Sequence, residues 1–561
     1  MCDAHTSAAS LRGAAGIIVS GGPQSVYAQN SVQPDDAIFD LGVPILGICY
    51  GQQWVAHALG GTVQSGKTKE YGRTHVTVKN GGGFLLSDTT THFTAWMSHG
   101  DEVTVLPEGF VATASSKDCM VAAMENVARR IYCVQFHIEV AHTEGGTDIL
   151  TKFVSHCSPA AWSLHGYSQR ISEEIEREAA GNNVFMLVSG GVDSTVAFVL
   201  LNRVLGTSRV RGLLVDTGLM RKDEVRQIVD ALEERGIHNL STYDASDLFF
   251  QRLQGMSDPE EKRKVIGDTF LDVQASVEES MSLDGTWLLG QGTIYPDTIE
   301  TGGTTHSDHI KTHHNRVPVI QKMIEEGRVI EPLKDLYKDE VRILGTELGL
   351  PRALVWRHPF PGPGLGVRIL CTRSEAISPH DPVRGIPHPH AVLPIQSVGV
   401  QGDGRTYRQA IVLFDEARHP ARAHWDSATH IPNTHPAFNR VLFCLSHSHP
   451  ISFYSHTAFV TRERADLLRE CDAIVHDALL ASDLYDDIWQ FPVVLLPVGS
   501  MPRGQTIVLR PVHSEEAMTA SAVDMPPSVL SSITEKIMAI EGIDAVFLDL
   551  TSKPPATIEW E

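Results

Sequence analysis

The stretch Ser189-Gly-Gly-Val-Asp-Ser-Thr195 lies between an apolar run, Val184 to Val188, and a segment of helical character, Val196 to Leu201. A strand, a tight glycine turn and a helix start in direct succession commit this part of the chain to an α/β layer and make the turn a phosphate cradle. Gly190 and Gly191 admit backbone conformations that a Cβ opposes and let N–H groups converge on an anion. Ser189, Ser194 and Thr195 add hydroxyl donors. A glycine turn that binds nothing is the competing reading. The stretch lacks the Gly-Lys-Ser/Thr ending with which a Walker A loop reaches the β and γ phosphates.

A second strand–turn–helix pattern comes earlier. Gly47-Ile-Cys49-Tyr-Gly51 follows Val43 to Leu46 and precedes Gln52 to Leu59, the setting of a nucleophile carried on a sharp turn. With 8 cysteines in 561 residues and no CxxC pair, a disulfide framework or zinc ribbon is disfavoured. Cys49 is therefore a candidate nucleophile, with a bare buried cysteine as the alternative. Ile131 to Glu139 reads as a strand whose alternation puts His137 and Glu139 on one side. A thiol is mostly protonated at neutral pH, so an imidazole must take its proton and a carboxylate must orient that imidazole. Cys49, His137 and Glu139 fill these three roles, and Cys133 on the same strand is expected in the core. Gly21-Gly22-Pro23, after the strand Gly16 to Ser20, offers N–H groups to an oxyanion.

The cradle resembles the pyrophosphatase loop of enzymes that split ATP between the α and β phosphates. Gly-Ile-Cys-Tyr-Gly with a downstream Gln-Phe-His-x-Glu resembles the class I glutamine amidotransferases. The order of the two, followed by a third region, resembles the glutamine-hydrolysing GMP synthetase family. The most specific stretches are Asp258 to Gly267, Gly290 to Asp297, Ile310 to Asn315, His358 to Gly366, Val398 to Tyr407 and Ser552 to Glu561. The resemblance implies that ATP lies on Ser189, Gly190, Gly191, Val192, Asp193, Ser194 and Thr195, with Asp193 near a Mg2+ ion and Val215 beside the adenosine. It makes Arg263, Asp403, Gln490, Lys553 and Glu559 contacts to XMP, and Lys311, His313 and His314 a mobile segment near ATP. A metal site is the alternative for that His-His pair. Gln53, Ser98, His99 and Asp101 would grip glutamine, and the Tyr50 N–H would join Gly21 and Gly22 at the oxyanion. The implied activity is glutamine-driven amination of adenylated XMP to GMP, with release of AMP and pyrophosphate.

Three α/β parts are expected: a class I amidotransferase-like domain over 1–158, a doubly wound adenine-nucleotide α-hydrolase-like domain over 159–366, and a C-terminal α+β domain over 367–561. Pro359 to Gly366 reads as a stiff hinge between the last two. The match is interrupted over Thr372 to Pro394 and Arg418 to Thr457, and the third domain is expected to carry an insertion near 411–457. Arg418 to Thr457 contains seven histidines (His419, His424, His430, His435, His447, His449 and His456) and several prolines, which predicts an exposed irregular insertion, with metal binding as the alternative. The family opens with a strand, a helix and a second strand before its Gly-Gly-Pro turn. About 20 residues precede that turn here, which predicts a shortened start and a poorly folding glutaminase half. An ammonia-only synthetase, a non-catalytic binding protein and an amidotransferase acting through Cys2 are the competing functions. The net charge of −22 disfavours a nucleic-acid partner. No apolar stretch approaches the roughly 18 residues that span a bilayer. The expectation is a cytoplasmic enzyme, monomeric or homodimeric, acting on XMP, ATP and glutamine.

Overall fold

The structure is a computed structural model that describes residues 6–22, 25–28, 31, 33–140, 142–157, 164–281, 287–297, 326–378, 383–400, 405–514 and 520–561. The chain divides into two compact units, Met1–Ser163 and Leu164–Glu561.

The first unit is built on a seven-stranded sheet. β1 (Ile17–Val19), β2 (Ile45–Ile48) and β7 (Ile131–Val134) run parallel, with β2 in the middle of the three. β6 (Ala123–Asn126), β5 (Val111–Ser115), β3 (Thr62–Val78) and β4 (His92–Val105) continue the sheet in that order, each antiparallel to its neighbour. β2 and β7 are buried along their whole length, as strands covered on both faces must be. α1 (Tyr50–Ala58) leaves the end of β2, and its Trp54 is fully buried against Phe39, ring centroids 5.0 Å apart. α2 (Gly146–Cys157) presses Ile149 and Phe153 into the core. The strand expected to run to Glu139 stops at Val134. His137 is held instead by a single bridge to Trp96 of β4.

The second unit opens with α3 (Leu164–Ala179) and a five-stranded parallel sheet in the order β10 (Leu240–Asp244), β9 (Val210–Asp216), β8 (Asn183–Leu187), β11 (Trp287–Gly290), β12 (Val329–Ile330). The winding reverses between β8 and β11, so a ligand crevice is expected beyond the carboxyl ends of these two strands. The Ser189–Thr195 turn lies there, between β8 and α4 (Val192–Leu205), whose Val196, Phe198, Leu200 and Leu201 are all buried.

A six-stranded mixed sheet follows. Its order is His390–Val400, Arg405–Leu413, Phe438–Cys444, Ile543–Asp549, Gln505–Leu509, Val493–Leu496. This corrects the reading of Arg418 to Thr457 as irregular and exposed. Arg422–Thr434 is a helix, and Phe438–Cys444 is a wholly buried strand in the interior of the sheet. The apolar Val441-Leu442-Phe443-Cys444 drives that burial, and the flanking histidines serve the packing. His435 bonds the Arg384 carbonyl at 2.9 Å, and the His388 and His424 rings meet at a tilt with centroids 4.3 Å apart.

Nor is Pro359 to Gly366 a hinge. Leu365 is fully buried and its N–H donates to the Leu219 carbonyl at 2.7 Å. Gly364 has φ +61° and sits so close that a Cβ would come within 2.3 Å of that same carbonyl. The segment is clamped to the loop after β9.

Candidate active sites

Cys49 caps α1 with φ 53° and ψ −105°, a conformation that a non-glycine residue adopts only under constraint from its surroundings. The constraint is visible. The Cys49 N–H donates to the Val134 carbonyl at 2.8 Å, and a Cβ on Gly51 would approach the Val19 carbonyl oxygen to 2.0 Å. The elbow is thus pressed between β1 and β7 and presents its thiol outward. Gly21 lies between the two reacting residues, its absent Cβ pointing 3.1 Å from His137 Cε1 and 3.6 Å from Cys49 Cβ, while Gly22 faces the Tyr50 ring.

His137 Nδ1 pairs with Glu139 Oε1 at 2.6 Å, which leaves Nε2 for the Cys49 thiol, to which the ring is hydrogen-bonded. The Cys49 bond first and the Glu139 bond second push the imidazole up to about 10 against the opposing effect of burial. Burial also works on Glu139, but the bond from His137 wins and holds the carboxyl below its ordinary range. The arrangement favours the protonated imidazole.

Two further contacts reach the Cys49 sulfur at 3.7 Å, the Ser98 carbonyl and the Gln135 side-chain amide. Gln53 Nε2 donates to the Asp101 carbonyl at 2.8 Å and to Gln135 Oε1 at 3.2 Å. The His99 ring turns away from the thiol. Its Nδ1 lies 3.0 Å from the Asp101 carbonyl and its Nε2 lies 3.2 Å from buried Glu70, whose other oxygen accepts from Ser116 at 2.7 Å. Glu70 and His99, with buried Cys119, are the one group with metal-ligand spacing among the described residues, and the hydrogen bonds just named already occupy the carboxylate and the imidazole. The Asp101 carboxylate accepts from Tyr27 at 2.8 Å and from Ser25.

In the cradle, Gly190 has φ +80°, the left-handed region that favours glycine, whereas Gly191 caps α4 in ordinary extended geometry but a Cβ there would crowd the Ser189 hydroxyl at 3.2 Å. The hydroxyls knit the turn. Ser189 and Ser194 are 3.0 Å apart, and Ser194 and Thr195 donate to the Gly191 carbonyl at 3.1 and 2.9 Å. Asp193, in the first turn of α4, receives Lys338 Nζ on both oxygens, at 2.7 and 2.6 Å. Lys338 opens the helix Lys338–Glu347 and was not among the residues the sequence singled out. Its signal is faint, a lone basic residue at a helix start 145 positions away. The Val215 side chain is buried in the core, so only its backbone is available to a ligand.

The C-terminal tail gathers the other candidates. Glu559 accepts Arg368 on both oxygens at 2.9 and 3.1 Å, and Gln490 donates to it at 3.1 Å. Arg368 is fully buried and shares the Phe360 ring with Arg221, their guanidinium carbons 5.0 and 4.3 Å from its centroid. Arg263 pairs with Glu260 at 3.4 Å and donates to the Glu561 main-chain oxygen. Lys553 is half-buried, which lowers its pKa. Asp403, Lys311, His313, His314 and Cys2 lie outside the described residues.

The class-I glutamine amidotransferase family matches residues 2–157, and the GMP synthase C-terminal domain family matches residues 477–560. A protein named probable GMP synthase [glutamine-hydrolyzing] from Leptospira interrogans is 46% identical over 97% of this chain and 92% of its own length. The GMP synthase [glutamine-hydrolyzing] of Leifsonia xyli is 39% identical over 98% of this chain and 95% of its own. The chain belongs to the glutamine-hydrolysing GMP synthase family. Among solved structures, NMN synthetase from Francisella tularensis aligns with 37% of this chain and 79% of its own at 16% identity and a TM-score of 0.28.

Within this GMP synthase fold the candidates form three groups. Cys49, His137, Glu139, Gly21, Gly22 and Tyr50 are in one place, with Gln53, Ser98 and Asp101 around them. Ser189 to Thr195 form the second group. Gln490 and Glu559 touch in the third, whereas Arg263 is tied to the last residue of the tail. Arg368 and Lys338 are neighbours of these groups that carry no motif of their own, and Gln135 opens the Gln-Phe-His-x-Glu stretch without having been given a role.

Proposed function

We propose that this chain makes GMP from XMP, ATP and glutamine by two coupled reactions. Cys49, its proton taken by His137 with Glu139 behind the ring, attacks the glutamine amide carbon. N–H groups of the Gly21-Gly22 turn and of Tyr50, at the positive end of α1, stabilise the oxyanion. The His137 imidazolium returns its proton to the departing ammonia, and water then releases glutamate from the thioester.

In the second unit the XMP O2 attacks the α phosphorus of ATP, pyrophosphate leaves along the Ser189–Thr195 cradle, and ammonia attacks C2 to expel AMP. Asp193 and the phosphate oxygens form a hard donor set that suits Mg2+, and Asp193 would hold it. When bound, that ion neutralises charge on the pyrophosphate leaving group. Lys338 sits where it can take over phosphate once Asp193 turns to a metal. Arg263, Lys553, Gln490, Glu559 and Asp403 bind XMP, and Lys311, His313 and His314 serve the ATP site. The chain comprises an amidotransferase part over 1–158, an ATP pyrophosphatase part over 159–366 and an XMP-binding part over 367–561. It acts in the cytoplasm as a monomer or homodimer, without nucleic acid or membrane.

The observation that carries this reading is the strained Cys49 elbow, with His137 and Glu139 in hydrogen-bonded series, in the same chain as the Ser189–Thr195 cradle. GMP formation from XMP and Mg-ATP, with glutamine in one assay and ammonium in the other, tests it. Synthesis in both supports the whole scheme. Synthesis with ammonium alone removes the glutaminase, and synthesis in neither removes the proposal.

A further inference from the structure

We propose that Gln135 is a catalytic residue of the glutaminase, an amide donor that stabilises the Cys49 thiolate and is locked in that orientation by Gln53. The inference rests on the reading of Cys49 as the nucleophile.

The geometry fixes which end of each amide points where. The Asp101 carbonyl can only accept, so the Gln53 group 2.8 Å from it is the NH2 end. That NH2 also lies 3.2 Å from the Gln135 side chain and therefore meets the Gln135 oxygen. The Gln135 NH2 is left facing Cys49 Sγ, at 3.7 Å, a normal distance for a donor to sulfur. Reversing Gln135 would set its oxygen against a thiolate and its NH2 against another NH2, two repulsive contacts in place of two bonds.

The surroundings hold the series still. Gln135 is fully buried, Gln53 and Cys49 nearly so. The Gln135 N–H donates to the Ala122 carbonyl at 2.8 Å, and the Asp101 carbonyl that orients Gln53 is also engaged by His99 Nδ1 at 3.0 Å. A donor that is itself buried and aimed at a developing anion acts more strongly than it would in solvent. The groups facing Cys49 are thus Gln135 from one side, His137 from a second, and the Ser98 carbonyl, which a neutral thiol satisfies and a thiolate does not. Gln135 offsets that last contact once the proton has left.

The test is the pH dependence of Cys49 alkylation by iodoacetamide, read beside glutamine-driven and ammonium-driven GMP synthesis in the full chain. Gln135→Met removes the donor at similar volume, and Gln135→Glu places a carboxylate against the sulfur. Both should move the alkylation midpoint upward, by about one pH unit for Met and by more for Glu. Glutamine-driven turnover should fall roughly 10- to 100-fold in both, with the ammonium-driven rate retained as proof of folding. Gln53→Met, which frees the Gln135 amide to rotate, should give a smaller shift in the same direction. Unmoved midpoints with normal ammonium-driven synthesis would overturn the proposal. Cys49→Ala separates the two ideas. If that variant still uses glutamine, the nucleophile itself is misassigned, whereas loss of glutamine use alongside unmoved Gln135 midpoints discards only the role of Gln135.

Discussion

The glutaminase site and the nucleotide site store their charge in opposite ways. Around Cys49 the elbow, His137 and the Gln135 amide are already aimed at the sulfur. The elbow is strained, His137 is tied at one nitrogen and bonded to the thiol, and two glutamine amides are locked in line. In the second unit the corresponding groups are turned on each other. Asp193 holds Lys338, and Glu559 holds Arg368 and Gln490. Under the proposed roles, one site is ready before its substrate arrives, whereas the other exchanges internal partners for ligand. Preorganisation of the first kind favours rate, and self-pairing of the second kind keeps charges satisfied until a substrate replaces the partner.

Four experiments probe that contrast, the largest effect first. Asp193→Ala should abolish GMP synthesis from both glutamine and ammonium, a loss of at least about 100-fold by steady-state assay, because Lys338 is left uncompensated as well as the metal. Cys49→Ala should abolish glutamine use alone and leave the ammonium-driven rate within about twofold, since its neighbours all belong to the first unit. Lys338→Met should slow both routes by roughly 10-fold and raise KM for ATP more than KM for glutamine. If KM for ATP is unchanged, Lys338 is only a tether for Asp193.

The fourth concerns pH. The His137 proton is held above the ordinary imidazole value, so its interaction with Cys49 and Glu139 is complete below that value and is lost as pH rises through about 10. Glu139 is shifted the other way, and its contribution fades as pH falls through its lowered value. Glutamine-driven turnover should therefore be flat through neutrality and fall toward pH 10. The ammonium-driven rate, compared at fixed free ammonia, should lack that alkaline limb.

Much of this was legible in the residues. Cys49 declares itself through two glycines and an apolar strand, and the cradle through its hydroxyls. His137 and Glu139 were found by an alternation argument that is only half right. Strand β7 ends at Val134 and the chain bends on either side of His137, yet the bridge from His137 to Trp96 holds the segment in place and the carboxylate two residues on reaches the ring. Where the reading failed, composition had outweighed pattern. Seven histidines and several prolines in Arg418 to Thr457 suggested a loop, but Val441 to Cys444 is an apolar run that has to be buried, and the sheet takes it into its interior. Similarly, proline and glycine in Pro359 to Gly366 suggested a hinge, when the glycine is there to allow contact with Leu219. His99 was expected, with Ser98 and Asp101, to grip glutamine on the strength of the family resemblance, and its side chain is turned to Glu70. Lys338 and Arg368 meet partners distant in sequence, which no local spacing reveals, and Gln135 stood in the quoted Gln-Phe-His-x-Glu stretch but its contact with Cys49 spans 86 positions.

The clamp on residues 358–366 also bears on how the second unit could be dissected. Leu365 and Gly364 engage Leu219, Arg221 reaches the carbonyls of His358 and Pro359, and Arg469 grips the carbonyls of Gly218 and Met220. A backbone break placed in that segment would cut the chain without parting its pieces. The residues before it and after it would remain fastened through the β9 loop, so this stretch suits a split-protein design that reassembles rather than a boundary for expressing the two parts alone.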